Sequence, residues 1–146
     1  MVKLVGDDYC FACGPKNPIG LHLEFETEDH GVSRTVWVPK EEHQGYVGVV
    51  HGGLIATVLD EAMVRMLWRL GVPAMTVRFA MDLKRSATPG EPLYLEGRVV
   101  EDRGRVIEVE SEARYADGSL VATGAATCVV KGDRNKKRLG IAEERA

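Results

Sequence analysis

From residue 74 onward, apolar and polar residues alternate with a period of two. Met75, Val77, Phe79, Met81 and Leu83 fall on one face of the pattern, and Thr76, Arg78, Ala80, Asp82 and Lys84 on the other, as in a half-buried strand. Three more stretches of this kind, residues 92–101, 105–115 and 120–130, are punctuated by Pro89-Gly90, Arg103-Gly104 and Asp117-Gly118. Turns this short join antiparallel neighbours. Nearer the start, Leu21, Leu23 and Phe25 alternate with His22, Glu24 and Glu26, so residues 21–27 and 32–38 read as a hairpin broken at the Gly-containing segment 28–31. Between the two sets, residues 52–70 form one apolar stretch of helical period that stops before Gly71 and Pro73. One long helix and five to six strands bury their apolar faces together if the sheet curls around the helix, which predicts an α+β domain over residues 1–131. Residues 1–20 form a turn-rich leader to it, and residues 132–146, mostly charged, read as a solvated tail.

Composition narrows the classes. At 146 residues and 45% hydrophobic content the chain supplies one sizeable core. A net charge of -3 lacks the basic excess that nucleic-acid binding needs. Asp60, Glu61, Arg65 and Arg69 interrupt the apolar helix, and residues 1–8 hold no apolar run, so neither a membrane span nor a signal segment is expected. Three cysteines with one close pair argue against a disulfide framework and point to a cytoplasmic address.

The candidate chemistry lies on the helix. His51-Gly52-Gly53 opens it, and a helix whose first amides belong to glycine offers unblocked N–H donors to an anionic oxygen. Asp60 stands where a core helix normally carries a hydrophobe, with Ala56, Thr57, Met63 and Val64 three and four positions away and no local cation. Two readings of Asp60 stand: a reactive carboxylate, or an acid on a wet stripe or at a subunit contact. Gly52 and Gly53 have an alternative too, as residues of a tight turn. Eight helical residues advance about 12 Å, too far for Asp60 and the Gly52 amide of one chain to act on one carbonyl. If both are catalytic, the site combines two chains and the protein is a homodimer. His51 reads as a cap or oxyanion-orienting group, with proton transfer as the alternative. Glu61 precedes Arg65 by four residues and reads as its surface ion-pair partner. Cys10 and Cys13 have metal-ligand spacing, but tetrahedral zinc takes four ligands and no second close pair exists, so they read as ordinary turn cysteines and no metal is expected. Cys128, among Ala122, Gly124 and Ala126, reads as a packing residue, and Glu108, Glu110 and Glu112 as a solvated sheet face.

The run His43-Gln44-Gly45-Tyr46-Val47-Gly48-Val49-Val50-His51-Gly52-Gly53, six residues, Asp60, and then a strand ending Lys84-Arg85-Ser86-Ala87-Thr88-Pro89-Gly90 resembles the hotdog-fold acyl-CoA thioesterases, in the branch similar to the phenylacetyl-CoA enzymes. The opening Cys10-Phe11-Ala12-Cys13-Gly14-Pro15-Lys16-Asn17-Pro18-Ile19-Gly20-Leu21 is similar to the leader of many members. The resemblance spans residues 10–131 and implies a hotdog fold paired into a homodimer, often a dimer of dimers. It implies hydrolysis of an acyl-CoA substrate without a cofactor, coenzyme A being part of the substrate. Asp60 is then the general base or nucleophile, Gly52 of the facing chain the oxyanion donor, and Thr76 the hydroxyl that assists the water. Asp82, Lys84 and Arg105 match the coenzyme A positions, with Arg85 added on charge. Some relatives carry an amide residue six positions before the motif histidine. Gly45 stands there with Gln44 adjacent, so either Gln44 substitutes or that contact is missing. Three other readings remain open: a hydratase or dehydratase with His51 as base, a non-catalytic acyl-CoA-binding domain, and a metal-binding module built on Cys10 and Cys13.

Overall fold

The computed structural model describes residues 4–6, 8–134 and 139. Six strands form a single antiparallel sheet: β1 (Glu26–Glu28), β2 (Val32–Trp37), β3 (Ala74–Leu83), β4 (Leu93–Asp102), β5 (Val106–Arg114) and β6 (Leu120–Val130). Their order across the sheet is β1-β2-β4-β5-β6-β3, which leaves β1 and β3 as the edges. One helix, α1 (Gly52–Arg69), lies in the concave face, and the α+β expectation holds.

The helix seats itself through the residues its period predicts. Ile55, Val58, Leu59, Ala62, Met63, Met66 and Leu67 are all buried, and β4, β5 and β6 supply Leu93, Leu95, Val99, Ile107, Val109, Val121 and Ala126 against them. Helix and sheet approach closely at Gly97 of β4. A Cβ there would stand 2.2 Å from the carbonyl oxygen of Ala62, so only glycine lets helix backbone touch sheet backbone. Leu70 ends the helix, and Gly71 turns the chain with φ at 80°.

Edge strand β3 departs from strict alternation. Thr76 pairs with Cys128 and Arg78 with Thr127, so Val77 is an extra, unpaired residue in a β-bulge. The bulge reverses the phase of the strand. Before it Ala74 and Thr76 face the helix, and after it Phe79 and Met81 pack on the core, while Met75 and Val77 are turned outward. Period two predicts that Met75 and Val77 share the face of Phe79 and Met81; the bulge puts them on the opposite face.

Two further differences concern the chain ends. Residues 21–25 keep their alternating burial, with Leu23 and Phe25 inside, but do not form a strand. Their amides are taken by the leader instead: Leu21 N–H donates to Phe11 O and Leu23 N–H to Ala12 O, and His22 at φ 54° breaks extended geometry. The segment read as a solvated tail is anchored at its described residues. Arg134 grips Asp102 with two 2.8 Å hydrogen bonds, the Leu139 amide donates to the same carboxylate, and the Leu139 side chain is buried in the core. The rest of that segment lies outside the described residues.

Candidate active site

The loop before α1 is fixed by its own backbone. His51 N–H donates to His43 O at 2.8 Å, Val50 N–H to Ala87 O at 2.9 Å, and Gln44 bridges to Val50. His43 packs its ring on Trp37 and accepts the Lys40 amide at Nδ1, and burial lowers its pKa, so it stays a neutral structural group. Both ends of the Gln44 amide are also spent locally, its nitrogen on Glu41 O and its oxygen on the Gly48 amide. Gln44 is thus held within the loop by its own hydrogen bonds.

His51 is the N-cap of α1. Its Nδ1 accepts the Gly53 N–H at 2.9 Å, which uses that ring nitrogen and separates the two glycines by role. The Gly53 amide is satisfied. The Gly52 amide finds no acceptor among the described residues, and a Cβ built on Gly52 meets nothing within 4 Å. An open donor at the positive end of an 18-residue helix is suited to an oxyanion.

Two turns further along, Asp60 follows the fully buried Leu59 and is itself half-buried. Thr76 Oγ1 donates to its Oδ1 at 2.7 Å, leaving Oδ2 without a protein donor among the described residues. Burial raises the Asp60 pKa, opposed by the Thr76 hydrogen bond and reinforced by the charge of Glu61. Such a carboxylate is a better base than one in water. Cys128 lies behind Thr76, 3.9 Å from its hydroxyl, and burial pushes its thiol up to about 11, so it remains a neutral packing group.

The remaining candidates are spread out. Asp82, on the outer face of the sheet, borders a shallow groove of about 300 Å³ with Arg98, Glu110 and Thr123. Lys84 and Arg85 are exposed just past the end of β3, where both amides reach Val121 O. Arg105 is exposed at the other end of β6, its carbonyl accepting the Val130 amide. Nine residues of strand separate Val121 from Val130, about 30 Å, so one chain does not bring Arg105 together with Lys84 and Arg85. Glu108, Glu110 and Glu112 share the outer face as expected and are matched by Arg103, Arg98 and Arg114.

Glu61 corrects the sequence reading. It makes no ion pair with Arg65 among the described residues, and its Oε2 instead accepts from Cys10 Sγ at 3.4 Å. No local signal gives this away, because the i, i+4 charge spacing accounts for Glu61 by itself.

Residues 47–122, more than half of the chain, match the family model described as "Thioesterase superfamily", and the matched segment holds Gly52, Asp60 and Thr76 together. The chain belongs to the thioesterase superfamily. Its one helix in a curved six-stranded antiparallel sheet is the hotdog fold of that superfamily. Among its relatives, a putative esterase of Saccharolobus solfataricus is 38% identical over 93 residues, covering 57% of this chain and 60% of that protein. Human acyl-coenzyme A thioesterase 13 is 29% identical over 92 residues, covering 60% of this chain and 65% of the human one. The chain thus spans less than two thirds of the length of either curated relative. A Streptococcus mutans protein solved with acetyl-CoA bound superposes with a TM-score of 0.72 at 23% identity, over 77% of this chain and 91% of that one. Among the described residues no helix is long and apolar enough to cross a membrane.

Proposed function

We propose that the protein hydrolyses an acyl-CoA thioester to a carboxylic acid and coenzyme A, at sites that each combine two chains. The observation that carries this reading is the Asp60 carboxylate, held at one oxygen by Thr76 and left open at the other, on the same helix as an unused Gly52 amide. Asp60 takes a proton from water as the water oxygen adds to the thioester carbonyl, or adds to that carbonyl itself as nucleophile. The negative charge gathers on the carbonyl oxygen and is met by the Gly52 N–H of the facing chain. Collapse of the tetrahedral species expels the coenzyme A thiolate, which needs little acid assistance; on the nucleophile route this leaves an acyl–Asp60 anhydride, which water then cleaves to release the carboxylic acid and restore the carboxylate. One amide donor of this kind contributes about 3 kcal/mol to the transition state, and a positioned base about 10²- to 10⁴-fold in rate. The reaction needs no cofactor beyond the coenzyme A that the substrate brings.

A dimer through β3 supports the shared site. This strand is an unpaired edge carrying Met75, Val77 and Leu83 at 43%, 59% and 48% exposure, a surface that a second copy would cover. Antiparallel pairing of two β3 edges also sets the Lys84 end of one chain beside the Ala74 end of the other, which is the Arg105 end. The coenzyme A candidates Asp82, Lys84 and Arg85 of one chain and Arg105 of its neighbour then lie at a common end of the joined sheet. A pair of such dimers is the larger assembly consistent with this reading. The free thiols of Cys10, Cys13 and Cys128 suit a reducing, cytoplasmic setting.

A thiol-release assay over short, long and aromatic acyl-CoAs tests the reading. The expected result is turnover of at least one class by the wild-type protein and its near-complete loss in Asp60→Asn. Saturable acyl-CoA binding with no thiol release from any class would overturn it in favour of a binding domain.

A further inference from the structure

The leader folds into a tight knuckle. Gly14 N–H donates to Cys10 O at 2.8 Å and Lys16 N–H to Asp8 O at 3.0 Å, and a Cβ on Gly14 would stand 2.4 Å from both Asp8 O and the Cys10 nitrogen. Glycine is obligatory there, and the turn it permits sets the Cys10 and Cys13 side chains side by side against α1. Glu61, on the helix, meets them. The Cys10 and Cys13 sulfur atoms and a Glu61 carboxylate oxygen all lie within 4.8 Å of one another, drawn from segments about fifty residues apart in sequence.

We infer that Cys10, Cys13 and Glu61 form a binding site for a thiophilic divalent cation of the zinc class, which clasps the leader to α1. The dimensions fit such an ion. Metal–sulfur bonds of about 2.3 Å in a tetrahedral centre put its sulfur ligands about 3.8 Å apart. The Cys10 Sγ to Glu61 Oε2 separation is already 3.4 Å, so the cluster needs little contraction to close on a cation. The donor set is also right: two soft sulfur ligands and one carboxylate, with a fourth position left for water. Binding replaces the two thiol protons, which pass to solvent, and the two positive charges of the cation offset the two thiolates so formed in a half-buried pocket.

Electrostatics leave a free-thiol role little support. Burial, and then the neighbouring Glu61 carboxylate, push the Cys13 thiol far above its ordinary range, the opposite of what a nucleophilic or redox-active cysteine needs. Spacing along the chain supplies two ligands of the four that zinc takes. Folding adds the third from a helix residue whose charge already had an adequate partner in sequence.

The clasp is separate from the proposed hydrolytic chemistry, and its test does not depend on activity. Full-length protein, reduced and stripped with a chelator, is titrated with Co²⁺ and then with Zn²⁺ as competitor. The expected result is one ion per chain, with a thiolate-to-cobalt charge-transfer band and tetrahedral d–d bands that Zn²⁺ abolishes. Cys10→Ser and Cys13→Ser should each lose the charge-transfer band or most of it, Glu61→Gln should weaken binding about tenfold or more, and Cys128→Ala should keep the band. Should a variant fail to fold, as judged by its helical circular dichroism, the wild-type titration and the Cys128→Ala control still decide. No thiolate band on stoichiometric Co²⁺, a band unchanged in Cys10→Ser or Cys13→Ser, or a band lost only in Cys128→Ala would overturn the site.

Discussion

Thr76 Oγ1 donates a 2.7 Å hydrogen bond to Asp60 Oδ1, tying the start of edge strand β3 to the middle of α1. The bond orients the carboxylate, and in the proposed hydrolysis Thr76 acts as a positioning residue. Thr76→Val should lower the rate of thioester hydrolysis roughly tenfold to a hundredfold, the equivalent of one hydrogen bond to a charged group. Thr76→Ser, which keeps the hydroxyl, should recover most of the loss. Equal activity in the valine and serine variants would remove the hydroxyl from the mechanism.

The helix start allows deletion of a single donor. Proline is well tolerated at the first helical residue and lacks only the N–H there. Gly52 holds that position with open space where a Cβ would stand, and His51 at ψ 127° already lies outside the α region that a residue before proline avoids. Gly52→Pro should therefore fold normally while kcat falls about 10²- to 10³-fold, the loss seen when one oxyanion donor is removed. Gly52→Ala retains the amide and should lose less. Normal kcat in a folded Gly52→Pro protein would rule out this donor.

Gly97 sets how closely α1 approaches the sheet. Gly97→Ala drives a methyl into the Ala62 carbonyl and must displace backbone, since no flexible side-chain end stands in the way. A loss of about 1–3 kcal/mol is expected, from overpacking a contact that cannot relax. Urea denaturation of the purified variant measures it, and an unchanged midpoint would contradict the packing described.

Asp102 ties the end of β4 to the C-terminal segment. Its side chain is only 2% exposed, and that burial alone would raise its pKa. Hydrogen bonds from Arg134 and from the Leu139 and Gly104 amides, with the Arg134 charge, outweigh it and hold the pKa at about 2. A carboxylate depressed in the folded state stabilises it fully above the ordinary carboxylate range and loses that contribution as pH falls toward the folded value. The contribution is on the order of 2 kcal/mol, developed between about pH 2 and pH 5. Denaturation of wild type and Asp102→Asn across this window should give a stability gap that is full near neutrality and closes toward pH 2. A gap independent of pH would show that the charge is not what matters.

The helix, its buried residues and the turns between the last three strands are legible from the chain because each is set by local period or by a glycine. Thr76 is a candidate only through family resemblance, and its contact with Asp60 emerges only in the structure. Strict alternation puts Thr76 on the face of Asp82 and Lys84, and the bulge at Val77, which turns it inward, leaves no mark in the pattern. Strand 21–27 is over-read for a related reason: its alternation is real, but the leader takes the backbone hydrogen bonds that would have made it a ladder. Glu61 has an adequate local partner in Arg65 and a different one in space, which no short-range rule reveals.

The shared site has a direct test in subunit mixing. Asp60→Asn and Gly52→Pro proteins, each with at most about 1% of wild-type activity alone, are dissociated together and allowed to reassociate. In a mixed dimer both substitutions fall in one site, which is dead, while the other site combines a native Asp60 with a native Gly52 amide and is whole. Random reassortment should restore about a quarter of wild-type acyl-CoA hydrolysis, since half of the dimers are mixed and each has one working site. Mixed dimers with no activity would place Asp60 and the oxyanion donor in the same chain, or nowhere in the reaction, and contradict the account.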